Sequence, residues 1–364
     1  VANALRRRQA PAQVPPPPSV GPTAADFYQA RFFSPRVNAL ALQFGALPEA
    51  QRMLSLCCGH GVFENLLQAR QGSGEVVSID GQFLNLLITR RYADHGGTYI
   101  CHDVQFPFPF RDATFDGVLS STCLPEIPAQ RSFVAEAIRV TTDQGWTSFD
   151  SIWNAEVGDQ RINPHRFYRF CQNYFASLDD YVPMFESCAG PRRRVGVDIP
   201  DDPAAYLGGA RWSFGHEIAD VLAGRADEEM SVLVVGPDFP GFAASAGGGA
   251  PGTPDTAWLR AADLAASWAY DVSRQDDRIV LVRRPEFEVL HPQFAQRRFP
   301  GYRAEATIDL TRLDDAAYLT DLFTAAAVSL VPRDYTADPA RLLRTPNPGA
   351  TAGAPAHTGP GPTA

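Results

Sequence analysis

The chain contains no lysine: all 32 basic side chains among its 364 residues are arginine. Without an amine side chain there is no Schiff-base enzyme, no internal aldimine for pyridoxal phosphate and no phosphate loop built on a lysine. Abundant Ala, Pro and Arg accompany the gap, which points to high-GC coding and a bacterial source. Long apolar runs are also missing. No stretch approaches the roughly 18 residues needed to cross a bilayer, and the N-terminus has no hydrophobic signal region, so the chain reads as neither secreted nor integral to a membrane.

Cysteine is sparse, with six residues and no CxxC pair. They read as reduced thiols of a cytoplasmic protein, and the adjacent Cys57, Cys58 and His60 lack the spacing of a zinc site, so no metal is expected. The net charge of −9 and pI near 5.3 would repel polyanions, which argues against nucleic acid as the main partner. Arg192, Arg193 and Arg194 form the only internal basic run and read as a solvated loop or an anion contact.

What is present is a 45% hydrophobic chain, enough for one large core or two smaller ones. Residues 1–22 and 345–364 are Pro-, Gly- and Ala-rich tails that cannot offset their ordering entropy and read as disordered. From Arg52 onward, short apolar runs alternate with helical segments. The runs are Met53 to Cys57, Glu75 to Ile79, Thr98 to Cys101, Phe115 to Leu119 and Trp146 to Trp153, and the pattern predicts an α/β fold with parallel strands buried on both faces. Alternation stops near residue 154. Residues 154–255 read as an insertion or cap with an aromatic helical stripe (Phe167, Phe170, Tyr174) and a strand at 231–236 of unassigned position. A helix at Thr256 to Ser267 and a hairpin at about 268–283 are expected to close the sheet, and 285–344 read as a C-terminal extension.

Gly59 and Gly61 lie between the first strand and the helix after it, where they let the backbone approach a ligand at a helix N-terminus. Glu64 stands where a dinucleotide fingerprint needs a small residue, which argues against a dehydrogenase. Asp80 ends the second strand, placed to accept ribose hydroxyl protons, and Asp103 follows the third. No Ser-His-Asp spacing, paired-carboxylate motif or HExxH favours a hydrolase.

The order of GxG, Asp80, Asp103-Val104, Pro109-Phe110, Phe115-Asp116, Glu136, Arg139-Val140 and Gly145 resembles the class I S-adenosylmethionine-dependent methyltransferases, in particular the small-molecule branch called type 11. The resemblance covers residues 51–153, and 256–284 more loosely. It implies a Rossmann-like seven-stranded sheet with helices on both faces and a final hairpin, with residues 23–153 as the cofactor half and 256–284 as its end. It also implies S-adenosylmethionine as cofactor. The glycine loop (Cys57, Gly59, Gly61) would pass under the methionine part, Asp80 would hold the ribose, Asp103 and Val104 would frame adenine, and Ser120 and Ser121 would face the sulfonium. Ser55 and Cys57 stand where the family has an acid and a glycine. The expected reaction is methyl transfer to a small-molecule or lipid-like acceptor, with His165, Glu126 and His216 as candidate bases and Arg161, Arg166 and Arg169 as anion holders. His60 and His102 read as loop hydrogen-bonding residues. The alternative is a methyltransferase-fold protein that has become a binding or scaffold module.

Overall fold

The computed structural model describes residues 35–45, 47–71, 74–92, 96–153, 178–199, 207, 212–223, 229–239, 256–284, 303–331 and 341–344. The tails, the aromatic stripe, His165 and the three arginines near it lie outside the described residues.

Strands and helices alternate as the pattern predicts through the first half: α1 (Pro35–Gly45), β1 (Arg52–Leu56), α2 (Val62–Gln71), β2 (Glu75–Asp80), α3 (Phe83–Tyr92), β3 (Thr98–Cys101), β4 (Phe115–Ser121), α4 (Gln130–Val140) and β5 (Thr141–Trp153). Strands β1 to β5 pair with one another in parallel. Next come α5 (Leu178–Ala189), β6 (Arg194–Asp198), β7 (Ser213–Phe214), α6 (Glu217–Leu222) and β8 (Glu229–Val235). The central sheet has eight strands in the order β3-β2-β1-β4-β5-β8-β6-β7, and β8 runs antiparallel to both β5 and β6.

The sheet therefore takes its last strands from within 154–255. Beyond them lie β9 (Leu264–Ala266), β10 (Tyr270–Gln275), β11 (Arg278–Arg283), β12 (Glu305–Asp309), α7 (Ala316–Thr324) and β13 (Val328–Leu330). The expected hairpin exists as β10–β11, but it pairs with β12 in a separate three-stranded sheet instead of closing the central one. The expected helix at 256–267 is a 3₁₀ turn (Ala257–Arg260) followed by β9, which pairs with β13. Arg193, expected in a solvated loop, is mostly buried instead. Its guanidinium donates to the Thr141 carbonyl at 2.8 Å, satisfying the entry of β5.

Side chains alternate across the strands and divide the core in two. On β8, Leu233 and Val235 join Met53, Leu66, Leu67 and Trp146 on one face. Met230, Val232 and Val234 join Leu54, Leu56, Phe133 and Phe149 on the other. The second face is tied by edge-to-face rings, Phe133 to Phe149 at 5.9 Å and Phe149 to Phe185 at 5.0 Å, which hold α4, β5 and α5 together. On the first face the N-terminal helix meets the C-terminal elements. The buried Asn38 amide donates to the carbonyls of Phe323 and Val328 at 2.8 Å each, joining α1 to the end of α7 and to β13.

This division locates the ligand crevice. Helix α2, following β1, packs on the first face, and α4, following β4, packs on the second. β1 and β4 are neighbours, so the connections diverge above their carboxyl ends. In an open α/β sheet that divergence leaves a crevice, and ligands bind there.

Candidate cofactor site

The loop after β1 turns sharply. Cys57, Gly59 and Gly61 all have left-handed backbones, with φ of 54°, 54° and 76°. Two of these positions are glycine, as the geometry favours, but Cys57 carries a Cβ into it. The loop is stitched to the second strand: Cys58 N–H donates to the Ile79 carbonyl at 3.0 Å, and Gly59 N–H donates to Asp80 Oδ2 at 2.9 Å. Asp80 Oδ1 accepts from Gln82 N–H at 2.8 Å and from the Asn85 amide at 3.2 Å. Asp80 thus fixes the loop it was expected to serve, and three bonds still leave its carboxylate about one of the roughly four acceptor directions it possesses.

Asp103 lies just past β3 with an exposed carboxylate, one oxygen of which accepts from Gln105 N–H at 3.0 Å. Val104 beside it is buried and Phe106 is exposed. Near the end of β4, Ser120 is buried and its Oγ has no hydrogen-bond partner among the described residues, nor has His102 Nε2 just past β3. Ser121 donates to Asp150 Oδ2 at 2.9 Å, and Ser151 Oγ donates to the same oxygen at 3.0 Å.

Backbone strain gathers along this edge. Six non-glycine described residues have positive φ, and three of them, Cys57, Thr122 and Ser151, sit at the carboxyl ends of β1, β4 and β5. Strain of this kind persists only where surrounding structure holds it, commonly at sites.

Two features escaped sequence reasoning. Glu64, in the first turn of α2, is 0% exposed, and neither of its oxygens has a hydrogen-bond partner of good geometry among the described residues. Burial pushes its carboxyl up to about 7, and nearby Asp80 adds to the rise. The Ser55 and Ser78 hydroxyls stand near enough to oppose it. Glu64 was legible as an oddity at that position, but nothing in the sequence showed that it faces Ser55. The second is Asp150, a buried acid on β5 whose neighbours Ser148 and Ser151 are also polar, so the strand's sequence gives it no distinct signal.

The reading of reduced cysteines is corrected. Cys57 and Cys123 form a disulfide, joining the loop after β1 to the segment after β4. Cys58, Cys101 and Cys188 are free thiols, and burial, with Glu64 and Asp80 nearby, drives the Cys58 thiol far above its ordinary range. Sequence gave no hint of the pairing because it bridges 66 residues. Ser55 is buried on β1, and Glu126 is exposed on the 3₁₀ turn Leu124–Glu126, next to Cys123 at the rim of the crevice. His216 is exposed at the start of α6, beside β7 at the far edge of the sheet, so the structure separates it from the crevice.

Residues 54–157 match the family described as a methyltransferase domain. No curated protein matches the chain at a significant level. Similar solved structures include a methyltransferase of Thermotoga maritima described as a possible histamine N-methyltransferase (16% identity, 58% of this chain and 95% of that one, TM-score 0.41). Others are an S-adenosylmethionine-dependent methyltransferase of Aquifex aeolicus (16%, 59% and 98%, TM-score 0.40) and a putative methyltransferase of Haloferax volcanii in complex with its activator (17%, 59% and 96%, TM-score 0.42).

Proposed function

We propose that this chain, whose residues 54–157 match a methyltransferase-domain family, is a class I S-adenosylmethionine-dependent methyltransferase that methylates a small-molecule or lipid-like acceptor at the crevice above β1 and β4. One observation carries the reading: the glycine loop, Asp80, Asp103 and Ser120 all converge on the carboxyl ends of neighbouring strands where the helices diverge.

The residues fit S-adenosylmethionine. Ser120 Oγ is a buried hydroxyl still without a partner among the described residues, and the Asp103 carboxylate stands exposed. Asp80 would hold a ribose hydroxyl, Asp103 with Val104 the adenine, Ser55 and the loop through Cys57, Gly59 and Gly61 the methionine end, and Ser120 the surroundings of the sulfur. When bound, the cofactor supplies a methyl group already activated on a sulfonium. The protein's share is then to align the acceptor and exclude water. Glu126, at the rim, is the candidate base for a hydroxyl acceptor, and His165 is a second, placed by sequence alone. A lysine-free chain suits this chemistry, since carboxylates and backbone groups make the contacts.

Calorimetric titration of reduced protein with the demethylated cofactor tests the reading. Asp103→Ala should weaken binding about tenfold at an unchanged melting temperature, because its carboxylate is exposed, whereas Asp80→Ala should also loosen the loop. Absence of binding to any form of the protein would sink the proposal. The second reading, a fold retained for binding alone, has Ser55 and Cys57 in its favour. Transfer of labelled methyl groups into a bacterial extract would exclude it.

A further inference from the structure

The disulfide lies across the crevice. Cys57 is the first residue past β1 and Cys123 the second past β4, and β1 and β4 pair directly, with Leu56 opposite Ser120. The bond therefore spans the gap that the diverging α2 and α4 connections leave open. Its Cα atoms are 6.2 Å apart with two sulfur atoms between them. A ligand in the crevice therefore has to pass over the two sulfur atoms, because the bond ties the two loops that flank it.

Both anchors carry strained backbone. Cys57 and Thr122, which precedes Cys123, hold left-handed backbones that a residue with a Cβ rarely adopts. Cys57 is half-buried and Cys123 buried, so an attacking thiolate reaches Cys57 more readily. Cys58, next in sequence, is buried and held protonated, so it does not compete as an internal nucleophile.

We infer that the Cys57–Cys123 disulfide is a redox-operated latch on the cofactor crevice, closed when oxidised and open when reduced. The inference rests on the cofactor reading above for what enters, but on topology alone for what is closed. Opening needs a dithiol reductant. One of its thiolates attacks Cys57 Sγ and expels Cys123 as the thiolate, and its second thiolate resolves the mixed disulfide. Two electrons and two protons end on Cys57 and Cys123, and the reductant leaves as its own disulfide.

The test compares oxidised and dithiothreitol-reduced protein by three readouts. Thiol titration of the denatured chain should find two more thiols after reduction, and an equal number before and after would overturn the latch. Hydrogen exchange of peptides covering 57–62 and 122–127 should rise at least tenfold on reduction while β8 peptides stay unchanged, and equal rates would overturn it. Titration with S-adenosylhomocysteine should show at least tenfold weaker binding to the oxidised form, and equal affinity would overturn it. In Cys123→Ser and in Cys57→Gly the dependence on reductant should vanish from both exchange and binding, and its persistence in either folded variant would overturn the latch. If no form binds while exchange still responds to reduction, the cofactor reading fails and the closure of the crevice stands.

Discussion

Two polar clusters flank β4 and differ in one respect. On the α4 side, Arg139 makes five hydrogen bonds: Nε and an η nitrogen to the two oxygens of Glu136 at 2.7 and 2.8 Å, and its other contacts to Asp112 at 2.7 Å, the Phe110 carbonyl at 2.9 Å and the Phe108 carbonyl at 3.3 Å. Glu136 in turn accepts from Phe108 N–H at 2.7 Å. Every charge there has a partner, and the loop before β4 is clipped to its helix. At the carboxyl edge, Ser120 Oγ and His102 Nε2 are buried without partners among the described residues, and the buried Glu64 carboxyl has only the Ser55 and Ser78 hydroxyls near it, beside three strained backbones. Buried polar groups are normally satisfied, so the first cluster describes how the fold is held and the second marks where the fold has given up stability.

The sharpest break of this contrast is at Arg139. Arg139→Ala removes charge-assisted bonds to Glu136 and Asp112 and leaves two carbonyls unclaimed, which should cost about 3 kcal/mol after allowing for solvent screening. Denaturant unfolding would measure it, and a loss below about 0.5 kcal/mol would show the clip to be idle. The guanidinium beside Glu136 also holds that carboxyl below its ordinary 4.5. A depressed acid contributes stability above its unfolded value and loses it as pH falls through the folded one. The wild type should therefore shed this contribution below about pH 4.5, and Arg139→Ala should shed much less there.

Glu64 should respond in the opposite sense. Its carboxyl is raised to about 7 from 4.5, so below pH 4.5 it is neutral in both states and costs little. As pH rises, the unfolded chain releases the proton while the fold retains it, and stability falls until about pH 7, after which the penalty is constant. A gap of that size corresponds to about 3 kcal/mol, and a glutamine amide, itself short of partners, would recover about 2. Glu64→Gln should match the wild type at pH 4 and exceed it at pH 8. Equal stability at pH 8 would mean the carboxylate finds solvent or a partner in solution.

The same contrast explains what the sequence disclosed. Local pattern was sufficient to find β1 to β5: β1, β2 and β4 are short, mostly buried apolar runs, the edge strand β3 is half-exposed, and β5 was found by its Trp146–Trp153 part. It failed for β8, whose place between β5 and β6 is decided by hydrogen bonds to strands distant in the chain. It failed again at Leu264–Ala266, where alanine-rich composition favours a helix but pairing with β13, some sixty residues on, imposes a strand. At the site, Gly59, Asp80 and Asp103 stood out because their chemistry is tied to strand ends. The disulfide, the burial of Glu64 and the Ser121–Asp150 bond are contacts in space, and no local spacing encodes them.

A smaller test asks whether satisfaction itself, not polarity, separates the clusters. Thr141 and Thr147, both buried on β5, share a hydroxyl contact of 2.7 Å, and Thr141 Oγ1 also donates to the Ala137 carbonyl at 2.8 Å. With that donation fixed, Thr147 must be the donor to Thr141. Thr141→Val leaves the Thr147 hydroxyl a buried donor with that acceptor gone, a cost of about 1–2 kcal/mol. Replacing both by valine removes the stranded donor along with its partner and keeps the shape, so the double variant should lose less than Thr141→Val alone. Denaturant unfolding of the three variants decides it. If the double variant loses the sum of the two single losses, the pair is not coupled, and the distinction between satisfied and unsatisfied polar groups would not explain why the two sides of β4 differ.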